Sequence, residues 1–101
     1  MQKTIEKENY LKTLYKLEEK SQLATVTSLA NHFKVSKSTV SNMIKKLMLM
    51  KLVDSGPYKP ILLTKSGKKT AIKVITKHRL IELYLYEKMQ FELDEVHEIA
   101  E

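Results

Sequence analysis

The chain has 101 residues, of which 43% are hydrophobic and 30% charged, and its formal net charge is +6. This length fits one domain with a small core, and the lack of cysteine excludes disulfides, thiolate metal ligands and thiol nucleophiles. The first ten residues, MQKTIEKENY, have no apolar stretch like that of a signal peptide, and no segment approaches the length of a transmembrane helix, so we expect a cytoplasmic protein.

The charge is unevenly distributed along the chain. Residues 1–77 carry sixteen lysines against five acids, whereas residues 78–101 carry two cations against seven acids. A basic body suits a polyanion such as DNA. Binding to a membrane surface is an alternative, but the cations do not follow one long amphipathic helix. An enzyme is not expected, because there is no glycine-rich phosphate loop and no plausible Ser/His/Asp set.

The first predicted element is a helix from about Thr4 to Lys20. We expect Glu6 and Glu8 in its first turn, where the helix dipole stabilises acidic side chains. Its apolar residues recur at helical spacing and are expected to pack across the elements that follow. These residues are Tyr10, Leu11, Leu14, Tyr15 and Leu17.

Residues 27–48 have the pattern of a helix-turn-helix. We expect Thr27 to cap a short helix that ends near Phe33. Lys34 then lies close to a left-handed turn position, which costs a non-glycine residue about 1 kcal/mol. Ser36 is the expected cap of the second helix. The residues of that helix expected to face the core are Val40, Ile44, Leu47 and Met48.

The other face of the second helix is basic and polar, which is typical of a helix that enters the major groove of DNA. Lysines suit phosphates, and hydroxyl and amide groups suit base edges. The only arginine, Arg79, lies elsewhere, so we expect modest sequence selectivity per half-site. The predicted DNA-contacting residues are Ser36, Lys37, Ser38, Thr39, Ser41, Asn42, Lys45 and Lys46, with Thr27 on the preceding helix.

A predicted β-hairpin completes a winged helix-turn-helix. Two short runs, Leu52–Ser55 and Ile61–Leu63, flank a turn at Gly56–Pro60. Lys59 is a candidate contact to a phosphate or to the minor groove, and a solvated tip with a packed Tyr58 ring is the alternative. The predicted fold class is mainly α, a winged helix-turn-helix with flanking helices that form a dimerisation region.

Thr64 is the expected cap of a long helix that reaches about Met89. A break is predicted at Gln90–Glu92, followed by a last helix over Leu93–Glu101. The apolar residues of these two helices exceed what a monomer of this size can bury. We therefore expect a homodimer, whose two-fold symmetry would match a palindromic operator.

Two His/Glu pairs lie on these helices with a spacing of four residues. His78 and Glu82 form one pair, His97 and Glu101 the other, and each pair projects from one helix face. Two converging pairs would make a divalent-metal site. The alternative is that each pair only stabilises its helix, by about 0.3 kcal/mol. His32 has no acidic partner along its helix and is interpreted as a surface or phosphate-facing residue.

Five segments occur in an order typical of one family. They are EKENYLKTLYKLEE, VTSLANHFKVSKSTVSNMIKKL, the wing with LLTKSGKKTA, TKHRLIELYL and DEVHEIAE. The chain resembles the metal-dependent repressors of the diphtheria toxin repressor and manganese transport regulator family over essentially its whole length. This resemblance implies a metal-dependent, DNA-binding transcriptional repressor that controls metal-uptake genes. It also implies activation by Mn(II) or Fe(II), with manganese favoured, and dimerisation through the helices after the wing.

The resemblance also implies a set of metal ligands. By position, His78, Glu82 and His97 match one family metal site, and Glu101 and Asn9 match part of a second. Glu101 is similar to the manganese-type branch, because iron-type relatives have a thiol there. Asn9 departs from the usual Asp or Met, and its neutral amide is a weaker ligand for a hard cation than a carboxylate. Metal would order the first helix against the dimerisation helices.

The family pattern continues past Glu101 with a Glu-His pair, so the second site is expected to be incomplete here. A trimmed chain, a proteolytic fragment and a natural short form are all compatible with this ending. We place a DNA-binding domain at residues 1–73 and the start of a metal-binding and dimerisation region at residues 74–101. Two alternatives stay open, namely a winged-helix regulator without full metal control and a winged-helix module that docks another protein.

Overall fold

Four helices and one β-hairpin form the fold in the part of the chain that the structure describes. The computed structural model describes the backbone of residues 2–57 and 59–100 and the side chains of residues 6–57 and 59–90. In chain order the elements are α1 (Gln2–Glu19), α2 (Val26–Phe33), α3 (Lys37–Leu49), β1 (Val53–Gly56), β2 (Lys59–Leu63) and α4 (Lys65–Ala100). The predicted mainly α, winged helix-turn-helix fold is thus confirmed.

The core lies where α1, the helix-turn-helix and the hairpin meet. Its largest fully buried side chains come from all of these elements, and they are Leu14, Leu29, Val40, Leu47 and Ile61. Tyr10 of α1 stacks on Phe33 of α2, with ring centroids 4.4 Å apart. The first helix therefore packs across the helix-turn-helix, as predicted, and it also packs along α4. It starts at Gln2, so the prediction that Glu6 and Glu8 lie in its first turn is wrong.

The start of α2 differs from the prediction. Thr25, not Thr27, is its cap, because Thr25 Oγ1 accepts the Ser28 N–H at 3.0 Å and Ser28 Oγ accepts the Thr25 N–H at 2.9 Å. Thr27 lacks such a partner, because the residue three positions later is Ala30. Lys34 is confirmed as the left-handed residue of the turn, with φ 56° and ψ 47°.

The inward face of α3 also needs one correction. Val40, Ile44 and Leu47 are buried as predicted, but Met48 is 39% exposed and Met43 is buried instead. Met43 lies about 40° from Leu47 around the helix axis, whereas Met48 lies about 100° from it, beyond the edge of the buried arc.

The hairpin has a shorter turn than predicted. Its antiparallel strands pair Val53 with Leu63 and Gly56 with Lys59, with a β-bulge between Asp54 and Gly56. The prediction of a five-residue turn over residues 56–60 is wrong, because only residues 57 and 58 lie between the strands. The bulge takes up the extra residue that would otherwise lengthen the loop. The predicted packing of Tyr58 lies outside the described residues.

Helix α4 is continuous over 36 residues, which corresponds to about 54 Å. Thr64 caps it as predicted, since its Oγ1 accepts the Gly67 N–H at 3.0 Å and donates to the Lys51 carbonyl at 2.7 Å. The predicted break at Gln90–Glu92 is wrong, because those residues include no proline or glycine that would interrupt the helix. The expected domain boundary at residues 73 and 74 falls inside α4 and stays a prediction.

Among the described side chains of α4, residues 65–90, the buried ones lie in the N-terminal part. Ala71 and Val74 are buried, and His78 is half-buried. Between His78 and Gln90 the large apolar side chains are exposed, namely those of Leu80, Ile81, Leu83, Tyr84, Leu85, Tyr86 and Met89. Over the described residues, none of the helices combines the length and the apolar character needed to span a membrane.

Candidate DNA-contacting surface and metal centre

The outward face of α3 carries polar and basic side chains on a rigid helix. Ser38, Asn42 and Lys45 are exposed and lie within about 60° of one another around the helix axis. Lys37 and Lys46 are exposed on either side of them. Ser36 caps the helix as predicted, because its Oγ accepts the N–H of Thr39 at 3.1 Å. This cap fixes the N-terminal turn of α3, from which several of the predicted contacts project.

Three of the predicted DNA-contacting hydroxyls are less available than the sequence indicated. Ser36 Oγ lies 2.8 Å from Thr39 Oγ1, so the two hydroxyls are hydrogen-bonded to each other, and Ser36 Oγ also accepts the Thr39 N–H. Each therefore keeps only part of its hydrogen-bonding capacity for another partner. Ser41 is half-buried. Ser38 and Asn42 are consequently the best-placed groups for base edges.

Leu49 lies on the same outward face and was missed by the sequence analysis. It is 84% exposed and lies seven residues after Asn42 and four after Lys45. This spacing, which places Leu49 on the same helix face as Asn42 and Lys45, is the signal in the sequence. An exposed leucine at this position offers the kind of apolar surface that contacts a thymine methyl group.

The charge around α3 favours a polyanion. Between Glu19 and Asp54 the chain contains six lysines and no acidic residue. Thr27 is exposed in the first turn of α2, and Lys59 is exposed on the hairpin. His32 is also exposed, with its ring edge-on to Phe33 at a centroid distance of 4.8 Å.

A second candidate site lies where α1 meets α4. Glu8 Oε1 accepts a hydrogen bond from Lys77 Nζ at 2.7 Å, and Glu8 Oε2 lies 3.3 Å from His78 Nε2. The hydrogen bond from Lys77 lowers the pKa of the Glu8 carboxyl, and the charge of Lys77 and the hydrogen bond from His78 act in the same direction. Glu8 was not predicted as a site residue. The available signal was that Glu8 lies seven residues before Tyr15, on the face of α1 that meets α4.

The other predicted metal ligands are more dispersed. Glu82 is exposed one turn after His78 on α4. Asn9 is exposed and lines a depression of about 220 Å³ with Tyr10, Phe33 and Thr39, toward α2 and α3. Among the hydrogen bonds and ion pairs of the described side chains, Lys77 and His78 both contact the Glu8 carboxylate, and neither contacts Asn9.

The side chains of His97 and Glu101 lie outside the described residues. On a continuous α4, residue 97 lies 19 residues after residue 78, or about 28 Å along the axis. Within one chain, the structure therefore does not bring residues 78 and 97 together. Among the described side chains, no group of three or more potential metal ligands is assembled.

Family models match both parts of the chain. The N-terminal DNA binding domain of the iron dependent repressors matches residues 3–61. The metal binding and dimerisation domain of the same family matches residues 64–101. The two matches together cover nearly all of α1 to α4 and the hairpin, and they leave out Gln2 of α1 and Leu62 and Leu63 of β2.

Individual relatives agree with these matches. An uncharacterised HTH-type transcriptional regulator of Methanocaldococcus jannaschii is 36% identical over 81 residues, which is 79% of this chain and 65% of that protein. The diphtheria toxin repressor of Corynebacterium glutamicum is 32% identical over 93 residues, 92% of this chain and 41% of that protein. The structure of the manganese regulator SloR has a TM-score of 0.73 at 40% identity, covering 82% of this chain and 39% of that one.

The chain thus spans about two fifths to two thirds of the length of these relatives. Both halves of the fold nevertheless match the same family, and the order of the two matches along the chain is that of a DNA-binding domain followed by a metal-binding one. This protein therefore belongs to the iron dependent repressor family.

Proposed function

We propose that the chain is a transcriptional repressor that binds double-stranded DNA as a homodimer and binds it more tightly when a divalent metal is present. The observation that carries the proposal is the outward face of α3, where Ser38, Asn42 and Lys45 are exposed together. We further propose that it acts in the cytoplasm on metal-uptake genes, and that it is not an enzyme. The matched relatives are transcriptional regulators by name.

In the proposed complex α3 enters the major groove. Asn42 is suited to hydrogen-bond the edge of an adenine, and Ser38 can bond to several bases. Lys37, Lys45 and Lys46 supply charge for the phosphates, and Lys59 reaches the backbone from the hairpin. Because lysine is a point charge and α3 carries no arginine, most of the affinity should depend on salt concentration.

The donor types near His78 fit a divalent metal. An imidazole and carboxylates together suit Mn(II), Fe(II) or Zn(II). We propose His78, Glu82, His97 and Glu101 as ligands, with Asn9 as the α1 candidate that the family resemblance implies. A bound cation would supply two positive charges that attract carboxylates from separate segments. Manganese is favoured because Glu101 is a carboxylate and SloR is by name a manganese regulator.

The exposed apolar side chains of α4 support the proposed homodimer. Leu80, Leu83 and Tyr84 are each more than half exposed. A second copy would cover them and would place two α3 helices on one operator. Because residues 78 and 97 are far apart on a straight α4, a shared metal site requires that α4 bend or that the second copy supply His97.

The large separation of residues 78 and 97 along α4 also favours a second candidate function. In that case the chain is a winged-helix DNA-binding protein whose metal site is incomplete, so that it needs no cofactor. Binding of a protein instead of DNA is the third candidate. The exposed lysines and hydroxyls of α3 argue against it.

The test is fluorescence anisotropy of the chain on a duplex from upstream of its own gene, at fixed salt, with Mn(II) or with a chelator. We expect Mn(II) to tighten binding at least about tenfold, the size of a typical coupling energy. A shuffled duplex of the same composition is the control. Equal binding in both conditions would select the metal-independent regulator, and absence of binding would select the protein-docking candidate.

A second experiment tests the orientation of α3. Replacing Lys37 or Lys45 with glutamine should lower the slope of log affinity against log salt by about one in each case. Lys88→Gln is the matched control, because Lys88 lies far along α4 with its Nζ 6.0 Å from the Tyr84 ring centroid. The measurement is the same anisotropy titration at several salt concentrations. An unchanged slope in both α3 variants would place α3 away from the phosphates.

A further inference from the structure

We propose that Glu18 is a positioning residue for the hairpin, because its carboxylate supplies the hydrogen-bond acceptor that β2 needs at Leu63 and so holds Lys59 where it can contact DNA. The inference rests on the proposed function and deepens it, since Lys59 is the contact that the hairpin is proposed to make. Glu18 belongs neither to the proposed metal ligands nor to the predicted DNA-contacting residues.

The outer edge of β2 carries two N–H groups that point away from β1. In an antiparallel pair, alternate residues direct their backbone groups toward the partner strand and away from it. The Ile61 N–H donates to the Ala24 carbonyl at 2.9 Å, where an isolated bridge joins β2 to the connection between α1 and α2. Two residues later, the Leu63 N–H donates to Glu18 Oε1 at 3.2 Å. A side chain of α1 thus completes the edge that the backbone bridge begins.

The backbone bridge at Ala24 does not extend toward α1. In a continuing antiparallel ladder, Gln22 would lie opposite Leu63. Ser21 is left-handed, with φ 56°, and the Gln22 N–H donates to a carbonyl in the last turn of α1 at 2.9 Å. The chain is therefore turning out of α1 at the position where β2 needs an acceptor. The Glu18 carboxylate takes the place of a carbonyl from a third strand.

The Glu18 carboxylate keeps this place although one of its oxygens gains nothing there. Oε2 is buried and has no hydrogen-bond partner in the part of the chain that the structure describes. A buried polar atom without a partner is unfavourable, so a solvated side chain would be the easier choice on α1. A charged acceptor, in return, makes a stronger hydrogen bond than a neutral one. The bond to Leu63 is therefore the contribution that distinguishes this side chain.

Attachment at Leu63 fixes the direction of β2. The strand has five residues and belongs to a two-stranded sheet, and such a hairpin is only marginally stable by itself. Lys59 and Leu63 are its two ends, about 13 Å apart, and Ile61 lies midway between them. If β2 were attached only at Ile61, a displacement of Leu63 would move Lys59 by a similar distance in the opposite direction. Two attachments on one edge prevent that pivoting.

Positioning and simple charge predict opposite effects for the loss of Glu18. Removing an acidic residue from a DNA-binding protein raises its attraction for a polyanion. Removing Glu18 should instead take away the contribution of Lys59. Glu19 is the matched control, because it is the next residue of α1, carries the same charge, is exposed and lines a depression toward α4.

The test is the salt dependence of DNA affinity in the anisotropy assay, for the wild type, Glu18→Ala, Glu18→Gln and Glu19→Ala, each with and without Lys59→Gln. We expect Lys59→Gln to lower the slope of log affinity against log salt by about one in the wild type, as loss of one phosphate contact does. The same change is expected in Glu19→Ala, and also in Glu18→Gln, whose amide oxygen can still accept the Leu63 N–H. In Glu18→Ala the change should be less than about half as large.

A second measurement examines the hydrogen bond without DNA. Hydrogen exchange of the Leu63 amide, followed by NMR, should be at least about tenfold faster in Glu18→Ala than in the wild type. The Leu47 amide, in the middle of α3, should change less. The ratio of the two exchange rates separates a local effect on β2 from a general loss of stability. Glu18→Gln and Glu19→Ala should keep the wild-type ratio.

Each outcome supports or overturns the proposal. An equal effect of Lys59→Gln in Glu18→Ala and in the wild type would overturn it, as would an unchanged exchange ratio in Glu18→Ala. Behaviour of Glu18→Gln like that of Glu18→Ala would overturn it as well, because the acceptor is retained. If the wild type binds DNA but Lys59→Gln leaves its slope unchanged, the proposed function holds and this inference fails. If the wild type does not bind DNA, both fail.

Discussion

Replacing Gly67 with alanine should destabilise the fold by about 3 kcal/mol or more, because the new methyl group would overlap a backbone carbonyl. A Cβ at this position would lie 1.9 Å from the Leu52 oxygen and 2.9 Å from the Leu52 carbonyl carbon, with Leu63 Cδ2 at 3.2 Å. Backbone atoms cannot move aside as a flexible side chain can. The first turn of α4 would have to retreat from the junction of α3 and β1.

That retreat would break the connection between the helix-turn-helix and α4. The Thr64 N–H donates to the Leu52 carbonyl at 3.0 Å, and Thr64 also caps α4. Gly56→Ala is the matched control, because its nearest new contact, Lys59 Cδ at 3.7 Å, is ordinary. Thermal unfolding followed by circular dichroism compares the two. A loss below about 1 kcal/mol in Gly67→Ala would contradict the close approach of α4 to Leu52.

Replacing Leu47 with alanine should cost about 3 kcal/mol, within the range found for fully buried leucines. Leu47 is 0% exposed and lies in the same core as Leu14 and Leu29. Truncation removes its burial and leaves a cavity that rigid neighbours fill only in part. Urea unfolding measures the loss of stability. An unchanged slope of the unfolding free energy against urea concentration would show that the native state stays compact.

Leu49→Ala is the matched control for Leu47→Ala. The same change two residues later on α3 removes a side chain that is 84% exposed, so stability should change by less than about 0.5 kcal/mol. A larger loss at Leu49 than at Leu47 would mean that α3 is rotated about its axis. In that case the face assigned to DNA would instead be the core, and the proposed function would lose its main support.

The Leu47 and Leu49 pair therefore tests function as well as stability. Ser38, Asn42 and Lys45 are available to DNA only because Val40, Ile44 and Leu47 take the opposite side of α3. The rotation of α3 about its own axis decides both which residues face the core and which face the DNA, since a helix presents its residues at fixed angles. Leu49→Ala, if folded like the wild type, can then be used in the anisotropy assay to ask whether this exposed leucine contributes to DNA affinity.

Local patterns predicted most of the helix-turn-helix. The caps Ser36 and Thr64 and the left-handed Lys34 were all predicted, because capping and turn geometry depend on neighbouring residues. The cap of α2 differs from the prediction, because a threonine occurs at both 25 and 27 and the reciprocal bond with Ser28 selects Thr25. The exchange of Met43 for Met48 has another cause. Met43 and Met48 lie at opposite edges of the apolar arc of α3, about 40° and about 100° from Leu47, and the packing of α3 on its neighbours decides which edge is buried.

The wing and α4 show where local patterns are insufficient. A glycine and two prolines indicate a turn but not its length, which the pairing of Gly56 with Lys59 and the β-bulge decide. The predicted break near residue 90 rested on an interruption of the apolar pattern. An interrupted pattern changes which side chains are buried, but it leaves the backbone hydrogen bonds of a helix intact.

The sequence by itself determined the order of elements up to the start of α4, the basic face of α3 and the position of Glu82 one turn after His78, because each depends on spacing within one element. Only the tertiary structure brought Glu8 to Lys77 and His78, although Glu8 and Lys77 are 69 positions apart in the sequence. It likewise decided that Gly67 must lack a side chain against Leu52. Contacts between distant segments follow from how α1, the hairpin and α4 pack on one core, and no local periodicity carries that information.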